Sequence, residues 1–126
     1  MRGICALRPG VKGVSENIRV VSVIGRFLEH SRVYAFGADE EAEVYLSSAD
    51  WMPRNMFHRV EVAAPVLDDK LRARVLEESI DSYFRDNSFA WELQPDGSYL
   101  RVSSVDGPGI ISTQLDLQNR YSALSY

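Results

Sequence analysis

The stretch Ile18-Arg19-Val20-Val21-Ser22-Val23-Ile24-Gly25-Arg26-Phe27-Leu28-Glu29-His30-Ser31-Arg32-Val33-Tyr34-Ala35-Phe36 decides how this chain is read. Its first seven residues are rich in β-branched side chains and only partly alternate with polar ones, which predicts a central strand. Gly25 ends that strand, residues 26–29 turn a tight corner, and residues 30–36 read as the next strand. A period of two puts His30, Arg32, Tyr34 and Phe36 on one face, so an imidazole and a permanently charged guanidinium are expected side by side. Such a pair, with Arg26 nearby, suits phosphate oxygens and suggests an anion-handling site centred on His30. The alternative is that His30 fills a turn while the arginines are simply solvated.

Working outward, residues 2–7 read as a short buried strand that ends at Arg8-Pro9-Gly10. The loop over residues 8–13 holds three turn formers, Pro9, Gly10 and Gly13, so its backbone is expected to approach a phosphate or to serve as a plain connector. Residues 37–43 form an acidic loop, and residues 44–48 return as a strand. Residues 49–55 (Ala-Asp-Trp-Met-Pro-Arg-Asn) read as a shaped loop, and Ser47, Ser48, Asp50, Arg54 and Asn55 are expected to line a phosphate pocket; the alternative has Asp50 capping a turn and Trp51 filling the core.

Residues 59–65 predict a strand stopped by Pro65. Residues 68–87 predict an amphipathic helix, capped by Asp68 or Asp69, with Leu71, Val75, Leu76, Ile80, Tyr83 and Phe84 at three- and four-residue steps. Residues 89–93 and 98–102 flank Gln94-Pro95-Asp96-Gly97, whose Asp-Gly pair predicts a hairpin. A final helix is expected over residues 111–124, with Leu115, Leu117, Tyr121 and Leu124 as its apolar face.

Composition bounds the function. The 126 residues are 45% apolar and 25% charged with a net charge of −4, values of an ordinary water-soluble domain. Six basic and two acidic residues fall within residues 1–36, whereas the remainder carries eight basic and sixteen acidic ones. This asymmetry fits a local polyanion or nucleotide-phosphate site better than a broad nucleic-acid-binding face. A single cysteine, Cys5, excludes an internal disulfide and reads as a buried thiol. With no signal peptide in view, a reducing, cytoplasmic setting is expected. One cysteine and two distant histidines, His30 and His58, do not make a metal-ligand set.

The blocks Arg2-Gly3-Ile4-Cys5, Leu7-Arg8-Pro9-Gly10, Ser15-Glu16-Asn17-Ile18-Arg19-Val20, residues 25–32, Ser48-Ala49-Asp50-Trp51-Met52 and Arg54-Asn55 occur in the same order as in the C-terminal catalytic domain of bacterial polyphosphate kinase, which the chain resembles over most of its length. The resemblance implies an α/β fold of the phospholipase D-like superfamily: a mixed sheet flanked by helices, with a C-terminal hairpin and helix. Residues 1–126 would form a single domain excised from a longer chain.

The resemblance also implies reversible transfer of the terminal phosphate of ATP onto polyphosphate through a phosphohistidine. That histidine lies upstream of this segment, as do the magnesium-binding residues, so the fragment is expected to be inactive alone. His30 matches the family's second histidine, an assisting acid or stabiliser, and Arg2 matches an arginine that binds ATP phosphates. Arg32 stands where the superfamily's His-x-Lys motif has lysine; Arg8, Asp50 and Asn55 complete the candidate phosphate contacts, and His58 is read as structural. ATP, ADP and inorganic polyphosphate are the implied small-molecule partners. The upstream domains of the same enzyme complete the site, Mg2+ serves the full enzyme, and that enzyme is expected to be a homo-oligomer, in places membrane-associated. Two rival readings are a noncatalytic polyanion-binding module and a phospholipase D-like hydrolase completed by dimerisation.

Overall fold

Short β-branched runs separated by turn formers give short strands, and a computed structural model, which describes residues 5–37, 41–103 and 109–122, contains six of them. They are β1 (Val21–Val23), β2 (Val33–Phe36), β3 (Glu43–Ser47), β4 (Ala63–Pro65), β5 (Ala90–Leu93) and β6 (Tyr99–Arg101). The helices are α1 (Pro53–His58), α2 (Asp69–Leu76), α3 (Ser82–Arg85) and α4 (Thr113–Ser122), with a π-helical stretch Glu77–Asp81 between α2 and α3. The α/β class is therefore the one expected. All recorded pairings are antiparallel and fall into two three-stranded sheets, β1-β5-β6 and β2-β3-β4, instead of one mixed sheet. Backbone proximity divides the chain into two units, residues 1–27 with 83–126 and residues 28–82.

In the first unit β1 pairs with β5 so that Ser22 lies opposite Trp91 and Val23 opposite Ala90, and β5 pairs with β6. Ala90 and Leu93 are buried on this sheet. The Asp-Gly signal forms the predicted hairpin: Gly97 takes φ +88°, and the Asp96 carboxylate accepts from both the N–H and the hydroxyl of Ser98. The loop after Arg8 is closed on itself. Ser15 donates its hydroxyl to Arg8 O at 2.6 Å, accepts from Val11 N, and takes the Gly10 N–H on its carbonyl. Those amides are thus satisfied within the loop. The expected strand before it falls partly outside the described residues, and Cys5–Leu7 is not a strand.

In the second unit β2, β3 and β4 run side by side, with Val44 of β3 only 2% exposed and Ala42 and Ala49 buried beside it. The strand expected over residues 30–36 begins only at Val33, and the one expected over residues 59–65 is confined to β4. Pro53–His58 forms a helix that begins within the loop expected over residues 49–55; Pro53 stands in its first turn, where its fixed φ and missing N–H cost nothing. The helix expected over residues 68–87 starts as predicted, with the Asp68 side chain accepting from Leu71 N at 2.9 Å, and is then interrupted by the π stretch.

Candidate functional site

Three of the predicted residues meet in the second unit. Arg32 lies immediately before β2, where its carbonyl accepts the Ser47 N–H of β3 at 2.9 Å, and Asp50 follows the end of β3. The Arg32 guanidinium grips Asp50 with two bonds, Nε to Oδ1 at 2.9 Å and Nη2 to Oδ2 at 3.3 Å. The same Nη2 hydrogen-bonds His30 Nε2, and that nitrogen stands 3.9 Å from Asp50 Oδ2. The arginine and aspartate side chains are four-fifths covered, whereas the His30 ring is 72% exposed.

This arrangement has a definite electrostatic logic. The hydrogen bonds from Arg32 hold the Asp50 carboxyl below its ordinary range against the opposing effect of desolvation, and Asp50 in turn raises Arg32. A neutral His30 ring accepts from Arg32 at Nε2, while its exposed edge faces solvent. An exposed proton carrier beside a braced cation can meet an anionic oxygen and exchange a proton with it.

A second layer surrounds this cluster. The Glu61 carboxylate accepts from the Ser48 hydroxyl and from Asn55 Nδ2, the latter at 2.7 Å, and Ser48 Oγ accepts the Val62 N–H. Glu61 thereby ties both ends of the turn that carries Asp50, and these bonds hold its own carboxyl below the usual range. Tyr34 adds a bond from its hydroxyl to Ala49 O at 2.8 Å and an edge contact with Trp51. Asn55 is 4% exposed, and its Nδ2 donates to Glu61, so it braces the turn. Ser48 was among the expected pocket residues, but its partner Glu61 carries no local sequence signal, since their bond spans thirteen residues.

Arg2 falls outside the described residues. Arg8 belongs to the first unit, where its Nε donates to Pro95 O and it lines an open cleft of about 450 Å³ with Leu7, Leu93, Asp96 and Tyr99. Arg26 lies over the ring of Phe27, 5.7 Å from its centroid. His58 closes α1 and is exposed. Among the described residues no three metal-ligating side chains converge, and no helix is long and apolar enough to cross a membrane.

Comparison with known proteins settles the family. The family model described as "Polyphosphate kinase C-terminal domain 2" matches residues 1–114. The chain belongs to the polyphosphate kinase family, as its C-terminal domain. The polyphosphate kinase of Neisseria meningitidis serogroup C (strain 053442) is 50% identical to it over 119 residues, and that of Burkholderia ambifaria (strain MC40-6) 58% identical over 121. These alignments cover 94% and 96% of this chain but 17% of each relative, so the chain spans about a sixth of their length. The crystal structure of polyphosphate kinase from Porphyromonas gingivalis superposes with a TM-score of 0.78 at 33% identity, over 86% of this chain and 16% of that one. The observed α/β fold is thus that of a polyphosphate kinase C-terminal domain.

Proposed function

We propose that this chain supplies part of the phosphate-handling site of a polyphosphate kinase, which transfers the terminal phosphate of ATP reversibly onto a growing polyphosphate. In this reading His30 assists as a proton donor or charge stabiliser, Arg32 and Arg2 bind phosphate oxygens, and Asp50 fixes Arg32. Arg8 is a further phosphate contact, and Asn55 acts through the turn it braces. The phosphorylated histidine and the groups that hold Mg2+ belong to the rest of the enzyme, which acts in the cytoplasm. Phosphoryl transfer asks chiefly for positioning and for charge placed where oxygens become negative, and a braced arginine with an exposed histidine answers that need.

The observation that carries this reading is the His30–Arg32–Asp50 cluster, in which a titratable ring and a fixed cation share one carboxylate. A polyanion-binding module would need the cation but not the ring. The test is an assay of ATP-dependent polyphosphate synthesis by this chain alone and by the full-length enzyme. No synthesis by the chain and turnover by the enzyme is the expected result. Robust turnover by the chain alone would show that it carries its own nucleophile and would overturn the assignment.

A further inference from the structure

We propose that Tyr34 is a positioning residue for the Arg32–Asp50 ion pair, because its hydroxyl holds the peptide that leads into Asp50 from the strand that Arg32 immediately precedes. This rests on the reading of Arg32 as a phosphate contact. All the groups concerned belong to the unit formed by residues 28–82.

Strands β2 and β3 pair with Val33 opposite Leu46 and Tyr34 opposite Tyr45. The Ser47 N–H donates to Arg32 O at 2.9 Å, which extends that register by one residue and sets Arg32 opposite Ser47. Side chains two apart along a strand share a face of the sheet, and so do those directly opposite across a pair. Arg32, Tyr34 and Ser47 therefore stand together, and all three reach residues 49–50. The Tyr34 hydroxyl donates to Ala49 O at 2.8 Å, Ser47 Oγ accepts the Ala49 N–H at 3.1 Å, and the Arg32 guanidinium takes the Asp50 carboxylate with two bonds.

The consequence lies in the peptide plane. The Ala49 carbonyl shares one rigid plane with the Asp50 nitrogen, so a bond to that oxygen fixes the direction in which Asp50 leaves the turn. Ser47 secures only the preceding peptide. A two-bond grip requires guanidinium and carboxylate to meet in a fixed fork geometry, which a tilt of the Ala49–Asp50 peptide would spoil. Arg32 then samples more orientations, and the population poised for a phosphate oxygen falls. The Tyr34 ring also meets Trp51 edge-on with 6.1 Å between centroids, a contact that phenylalanine would keep. The hydroxyl is thus the part of residue 34 that bears on Asp50.

The test is a double-mutant cycle in the full-length enzyme. Tyr34→Phe is expected to lower kcat for polyphosphate synthesis by roughly tenfold. In an Asp50→Ala background the same change is expected to have little further effect, because the carboxylate it positions is gone. An equal loss in both backgrounds would assign Tyr34 a merely structural role and overturn the proposal, leaving the reading of Arg32 intact; an unchanged kcat for Tyr34→Phe would do the same. Full activity of Arg32→Ala would overturn both. A second measurement needs no residual activity. The Met52 N–H is bonded to Asp50 O at 2.8 Å, so hydrogen exchange over residues 49–52 of the full-length enzyme is expected to be faster in Tyr34→Phe, with β5 and β6 unchanged. Equal rates in the two proteins would show that the hydroxyl does not hold this peptide and would overturn the proposal.

Discussion

Replacing Asp86 by alanine is expected to lower the unfolding free energy of this chain by roughly 3–5 kcal/mol, a large part of the usual 5–15 kcal/mol of a domain. The carboxylate is almost completely covered and accepts three backbone N–H groups: Ser88 at 3.0 Å and Phe89 at 2.8 Å through Oδ1, and Thr113 at 2.9 Å through Oδ2. It closes the end of α3 onto the approach to β5 and anchors α4 twenty-seven residues later. Alanine leaves all three donors without their acceptor, and a buried donor without a partner costs about 1–3 kcal/mol. Asparagine keeps one acceptor oxygen and turns an N–H towards the remaining donor or donors, so an intermediate loss is expected. Urea denaturation of the three proteins decides the matter. An unchanged midpoint for Asp86→Ala would show that solvent replaces these bonds at no cost.

Arg32→Ala is expected to reduce kcat/KM for polyphosphate synthesis by the full-length enzyme by 10²–10³, on the order of the loss when one preorganised charge stabiliser is removed. The substitution deletes the cation, frees Asp50 to repel an incoming phosphate, and takes from His30 Nε2 its donor. Arg32→Lys restores the charge but not the planar fork that grips both carboxylate oxygens, so partial recovery is expected. The pair also has a pH signature. Because Arg32 depresses Asp50, the stability that this ion pair contributes is complete above the ordinary carboxylate range and disappears as pH falls through the lowered Asp50 value. Arg32→Ala removes this contribution, so its stability is expected to fall less steeply on acidification than that of the unmodified chain, as thermal melts across the acid range would show.

Much of the site was legible because it is local in sequence. His30 and Arg32 stand two residues apart, and the period of two placed them together; the structure keeps them together although β2 begins only at Val33. What joins them is Asp50, eighteen residues on, whose shared carboxylate was named as a candidate without its partners being readable. The Asp96-Gly97 hairpin was equally legible, since a positive-φ turn requires one residue type at one place. Strand pairing was not: no periodicity tells β1 to join β5 and leave β2 to another sheet.

The largest misreading concerns the last helix. Its expected apolar face included Leu115, which is 54% exposed, while the polar Gln114 beside it is buried. Hydrophobic periodicity assumes that burial follows apolarity, and here two hydrogen bonds to the Phe27 peptide satisfy a buried carboxamide instead. Asp86 and Glu61 escaped notice for the same reason, each being a lone acid whose partners include groups far along the chain. The loop at residues 8–13 looked ready to offer amides to a phosphate, but Ser15 takes the N–H groups of Gly10 and Val11. Trp51-Met52-Pro53 looked like loop composition, although proline is a frequent first residue of a helix.

The assignment of work to His30 is tested most directly by one substitution, His30→Ala in the full-length enzyme, with ATP-dependent polyphosphate synthesis and inorganic polyphosphate binding measured on the same preparation. A proton donor or charge stabiliser contributes about 10²–10⁴ in rate, so synthesis is expected to fall by that order while polyphosphate still binds. Unchanged synthesis with weakened polyphosphate binding would contradict the account and make this domain a polyanion-binding module instead.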